Sequence, residues 1–160
     1  MEEDLIKITP NKEKARSIFK MVEITLEMIK HIDKSKFSSN IAKEYYEVVR
    51  ELISIILLLD GYKTMGEWAH KRQIEYLETN YGEFSKYEIA FIDDLRVTRN
   101  KIAYDGFFVK ESYIDRKLNE ILKIIDKLKG IVRKKIWCIL LFSFIVFQIF
   151  WAYHHFSSGS

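Results

Sequence analysis

The stretch RNKIAYDG, Arg99 to Gly106, sets a permanently charged side chain, an amide and a phenol close together before an Asp-Gly pair. Ile92, Leu95, Arg99 and Ile102 follow one another at helical intervals of three and four, so Arg99 stands in an apolar stripe and not on a solvent face. A buried guanidinium must meet a carboxylate, carbonyls or an anion, because without partners its desolvation is costly. No acid lies three or four residues away to occupy it, those positions being Leu95, Arg96, Ile102 and Ala103. Two readings follow. Arg99 is held in an internal ion pair with Glu47 or Glu51, or its planar fork receives a phosphate, with Asn100 and Arg96 as further binding groups. Tyr104 lies about 7.5 Å farther along the helix axis and about 140° around it. A helix ending there lets both side chains reach one pocket mouth. Tyr104 is either a member of that site or a packing residue with a hydrogen-bonded hydroxyl.

The elements that must position these residues are helical. Residues 12–32 carry Ala15, Ile18, Phe19, Val22, Leu26 and Ile29 at amphipathic spacing. The segment DKSKFSSN then reads as a loop, with Ser38 or Ser39 as the next N-cap. A second helix over 41–60 is apolar nearly all round from Leu52 to Leu59, which makes it the central element, and Gly61 stops it. A shorter third helix is expected over 65–79. Ser85 with Glu88 reads as a capping box for a fourth over 86–104, ended by Asp105-Gly106. The fifth starts near Glu111 and carries Ile114, Leu118, Ile121, Leu122, Ile125 and Leu128. Six glycines and one proline in 160 residues agree with long helices. The fold class expected is all-α, a five-helix and mainly antiparallel bundle.

This arrangement resembles the HEPN superfamily, small all-α domains marked by R-N-x-x-x-H near the end of a late helix. Arg99 and Asn100 match the first two positions, and Tyr104 stands where the histidine is expected, as in archaeal-type variants. YYEVVRELISIILLLDGYK (Tyr45–Lys63) is similar to the second core helix of the family, and EWAHKRQIEYL (Glu67–Leu77) to the segment after it. The resemblance covers about Lys12 to Lys129. It implies either metal-independent RNA cleavage, with Arg99 on the phosphate and Tyr104 at the proton-handling position, or nucleotide and RNA binding without chemistry. Binding ranks first. A phenol, with an ordinary pKa of about 10, is a poor base at neutral pH. The resemblance also implies a homodimer with a composite site, and a minimal nucleotidyltransferase as a possible partner. It implies no cofactor. A structural helical bundle with Arg99 in an ion pair is the third reading.

Other constellations carry less. His31 and His70 are lone helical histidines and are read as surface or packing residues. Asp93-Asp94 diverge by about 100° on a helix and form no preassembled metal site. The chain contains no glycine-rich phosphate loop, HExxH, Gly-x-Ser-x-Gly or EF-hand pattern. The single Cys138 excludes an internal disulfide framework and a cysteine-based zinc site.

The formal net charge of +3 is local in origin. Lys123, Lys127, Lys129, Arg133, Lys134 and Lys135 face one acid, Asp126, between 123 and 135, while residues 1–122 hold 20 basic and 22 acidic side chains. A broad nucleic-acid-binding face is therefore not indicated. After the basic run, Ile136 to Tyr153 carry no charge, with Trp137, Trp151 and Tyr153 near the ends. This pattern predicts a C-terminal transmembrane helix over 136–153, with anionic headgroups at Lys123–Lys135 and the domain facing the cytoplasm. A buried or interface helix in a soluble cytoplasmic protein is the alternative. The organisation expected is a bundle over 1–132 and an anchor with a polar tail over 133–160.

Overall fold

The computed structural model describes residues 5–156, and side chains as far as 137. It is an all-α bundle of five helices: α1 (Lys12–Lys30), α2 (Lys34–Asp60), α3 (Ala69–Asn80), α4 (Lys86–Tyr104) and α5 (Glu111–Phe156). Two short strands, β1 (Leu5–Lys7) and β2 (Tyr62–Thr64), pair antiparallel with Ile6 opposite Lys63.

The centre is α2, which packs against α1, α3, α4 and α5. Its apolar second half has no solvent face: Leu52, Ile53 and Ile55 through Leu59 are all buried. Gly61 ends it in the left-handed region at φ +83°, where a Cβ would stand 3.1 Å from the Ile8 carbonyl oxygen. A residue without a side chain is what that turn requires. The Ile8 N–H in turn donates to the Gly61 carbonyl at 2.8 Å, which draws β1 onto β2.

The start of α2 differs from expectation. Asp33, not Ser38 or Ser39, is the N-cap, accepting from the Ser35 N–H, and the helix begins at Lys34. Phe37 leaves helical geometry (φ −119°, ψ 25°), which is why the segment reads as a loop. The two serines have other work. Ser38 donates to the Lys34 carbonyl, and Ser39 accepts the Val109 N–H at 2.8 Å, tying the α4–α5 connection to α2.

The expected limits of α4 hold. Ser85 accepts the Glu88 N–H while the Glu88 carboxylate accepts the Ser85 N–H, the reciprocal capping box. Asp94 bonds Lys117 of α5 at 2.9 Å. Near the far end of α2, the Asp60 carboxylate accepts hydrogen bonds from the hydroxyls of Tyr76 and Tyr81 and pairs with Lys135. One carboxylate thus joins α2, α3, the turn after α3, and α5.

The membrane anchor and the membrane-associated location are corrected here. Among the described residues no helix is long and apolar enough to cross a membrane. The reason lies in how α5 packs. From Glu111 to Trp137 it is an amphipathic bundle helix, burying Ile114, Ile121, Ile124, Ile125, Leu128, Ile131 and Val132. Ile136, the first residue of the uncharged run, belongs to the same core. Four of the six basic residues before that run are held by acids of other helices, while Lys123 and Lys134 are exposed. Lys127 pairs with Glu88, Lys129 and Arg133 with Glu23 at 2.9 and 3.4 Å, and Lys135 with Asp60. The side chains of 138–153, the rest of the proposed span, lie outside the described residues, as does the terminal SSGS.

Candidate functional site

Arg99 occupies the inner face of α4 as its spacing predicts, and its nearest acid is one of the two expected. The Arg99 Nε donates to Glu47 Oε1 at 2.9 Å. Glu47 on α2 also accepts from the Arg50 Nε at 2.6 Å through its other oxygen, so two guanidinium groups share one carboxylate. Burial opposes ionisation of Glu47, but the two arginines outweigh it and hold its carboxyl below the usual carboxylate range. Glu51 goes the other way. Burial, with Glu47 and Glu44 nearby, raises it despite the attraction of Arg50.

The rest of the Arg99 guanidinium points along α4. Nη1 makes long contacts to Asn100 Oδ1 (3.4 Å) and Tyr104 Oη (3.5 Å), and the guanidinium carbon stands 5.9 Å from the Tyr104 ring centroid. Nη2 makes no hydrogen bond among the described residues. Burial works against the charge on Arg99, yet the Tyr104 hydroxyl and Glu47 raise its pKa above the ordinary value, so it is permanently cationic.

Arg96, Asn100 and Tyr104 share one wall of a cavity of about 460 Å³. Across from them stand Glu67, Trp68, His70 and Lys71, from the turn before α3 and its first residues. Arg99 is not in the lining; it braces Asn100 and Tyr104, which are. Arg96 is kept in place by Asp93 on its own helix at 2.7 Å. So the Asp93-Asp94 pair serves two separate ion pairs, Asp93 with Arg96 and Asp94 with Lys117.

The opposite wall is fixed by buried contacts. Gln73, one turn into α3, is buried and donates to the Ser54 hydroxyl of α2 at 2.9 Å and the Thr64 hydroxyl of β2 at 3.1 Å. Gly66 makes the turn between β2 and α3 at φ +85°. Trp68 sits at the N-cap position of α3 with no side-chain hydrogen bond to the helix. The ring of His70 lies 6.1 Å from that of the buried Tyr46, tilted by 52°. Burial lowers the His70 pKa, and Arg50, Arg99 and Arg96 lower it further against the opposing pull of Glu47, so the imidazole is neutral at pH 7.

His70 is the residue that sequence reasoning set aside and the fold brings in. A lone histidine on a helix carries no signal of its own. Its position within EWAHKRQ, opening the helix after the central one, was the only hint. A larger cavity, about 680 Å³ between α1, α2 and α5, contains none of the predicted site residues. No group of three or more His, Cys, Asp or Glu among the described residues is placed to hold a metal ion.

Comparison of the chain with protein-family models, with curated proteins and with solved structures yields no match. The HEPN resemblance rests on the sequence alone: Arg99, Asn100 and the segments Tyr45–Lys63 and Glu67–Leu77.

Proposed function

We propose that this chain is a HEPN-like module that binds a nucleotide or RNA phosphate in the cavity between the start of α3 and the end of α4. The observation that carries this reading is that Arg96 and Asn100 project into the same space as Lys71 on the facing wall. Two cations and an amide, against the one carboxylate of Glu67 in the same lining, suit a phosphate. Arg99 acts through Asn100 and Tyr104 and adds its charge from behind. Arg99 stands outside the cavity lining, so direct phosphate contact falls to Lys71 and to the Nη groups of Arg96, whose Nε is held by Asp93.

Tyr104 at the histidine position makes binding the first role. Metal-independent cleavage is a second reading, favoured by one observation: the neutral His70 imidazole lines the same cavity and can accept a proton. A homodimer facing through this exposed mouth, and a nucleotidyltransferase partner, belong to the same proposal.

The test uses a fluorescein-labelled, unstructured ten-nucleotide RNA with EDTA present, read by anisotropy and then by gel for strand integrity. The full chain should bind at low salt, weaken as salt rises, and lose about tenfold or more in the Arg96→Gln, Asn100→Ala double variant. Wild type and variant binding equally would refute the site. Cleavage lost in His70→Gln, with binding retained, would move the second reading to first place.

A further inference from the structure

Trp68 is not explained by packing or by helix capping. It stands at the N-cap position of α3 with φ −93° and ψ 8°, which is not the extended backbone from which a side chain caps a helix. An indole offers only a donor, and none of its atoms bonds the helix end. Nor does it fill the core, being 58% exposed. A large amphipathic ring left more than half in water is accessible to a ligand.

The cavity supplies one. Trp68 shares its lining with Tyr104, which is 76% exposed, so each wall carries one accessible aromatic ring. Between them lie the phosphate donors Arg96 and Lys71 and the amide of Asn100. A volume of about 460 Å³ falls toward the lower end of the range for small-molecule sites, roughly 300–1,000 Å³. That is room for one nucleotide unit and not for a duplex.

We propose that Trp68 is the stacking platform of this site, and that the ligand is an unpaired nucleobase carrying its own phosphate. The base lies on the indole with Tyr104 on its other side, and its phosphate meets Arg96 and Lys71. The site therefore holds inorganic polyphosphate through its charge alone, without the stacking that a base adds, and rejects base-paired RNA, whose bases already stack on one another. This assignment rests on the phosphate reading above and adds the chemistry of selection to it. A free mononucleotide and one residue of a single strand share that chemistry.

The experiment measures anisotropy of a labelled penta-uridine strand with the full chain, with a blunt RNA duplex as control and adenosine monophosphate and inorganic tripolyphosphate as competitors. Trp68→Ala should weaken strand binding by about 5- to 150-fold, the range for loss of one base-stacking contact. Trp68→Phe should recover most of the affinity. Tripolyphosphate binding, read by its effect on thermal melting, should be the same in wild type and Trp68→Ala. Displacement of the strand by adenosine monophosphate assigns the free nucleotide, and failure of displacement assigns a strand. If Trp68→Ala changes nothing while Arg96→Gln weakens the strand, stacking is refuted and the phosphate site stands. If both variants bind as wild type does, both readings fall. Because Trp68 is exposed, circular dichroism of its variants should overlay the wild type.

Discussion

Glu47 is the joint on which the inner face of α4 turns, and Glu47→Gln tests it with little change of shape. The carboxylate receives Arg50 at 2.6 Å and Arg99 at 2.9 Å, one on each oxygen. An amide keeps one acceptor and replaces the other with a donor, so one arginine must face N–H against N–H. Charge-assisted hydrogen bonds contribute about 1.5–3 kcal/mol and fully exposed pairs about 0.2–1. With Glu47 at 24% and Arg99 at 21% side-chain exposure, the pair falls between these limits. We expect a loss of about 1–3 kcal/mol at pH 7, a fall in Tm of about 3–10 °C for a chain of this size. The pH dependence fixes the sign. The folded-state pKa of Glu47 is lowered, so its contribution is present above the ordinary carboxylate value of about 4.3 and is lost as pH falls through the lowered one. Melting curves of both proteins by circular dichroism at pH 7, 5 and 3 should show a gap that is full at the first two and narrows at the third. A gap near zero at pH 7, or one that widens in acid, would refute the argument that this carboxylate holds Arg99.

Two further outcomes follow from the same geometry. His70 has a folded-state pKa lowered by burial and by Arg50, Arg99 and Arg96, with Glu47 opposing, so the wild type should lose stability as pH falls below about 6.5; His70→Gln should lose less between pH 7 and 5 in urea titrations, and an equal loss would contradict the assigned shift. Gly61→Ala places a Cβ 3.1 Å from the Ile8 oxygen in a left-handed turn and should cost about 1–2 kcal/mol, visible as a lower urea midpoint, with an unchanged midpoint counting against the close approach of β1.

Much of the helical frame was legible because its signals are local. The stripe of α1, the stop at Gly61 and the Ser85–Glu88 box each depend on residues within a few positions of one another. The Arg99–Glu47 pair was half legible: helical spacing showed that Arg99 must find a partner, and only the fold selected between Glu47 and Glu51. The β1–β2 ribbon was not readable, since its three-residue strands are separated by more than fifty positions and have no alternating pattern. His70 was missed for the same reason, because its neighbours Tyr46 and Arg96 belong to other helices. The basic stretch before the uncharged tail misled most. Lys127, Lys129 and Lys135 read as a solvated collar, but their partners Glu88, Glu23 and Asp60 lie 39 to 106 positions upstream. Charge runs show only their own sign, whereas the acids that neutralise them are scattered along the chain.

The Asp60 junction has a consequence for when the bundle can close. Two of its three donors, Tyr76 and Tyr81, emerge early in synthesis, but the third is Lys135, 75 residues after the carboxylate. Until that lysine arrives, the carboxylate lacks its countercharge and Ile136 is missing from the base of the core. A shortened chain meant to represent the bundle must therefore run past 136. One cut at 132 would remove the second half of α5 and leave an anion at the foot of the central helix without its cation.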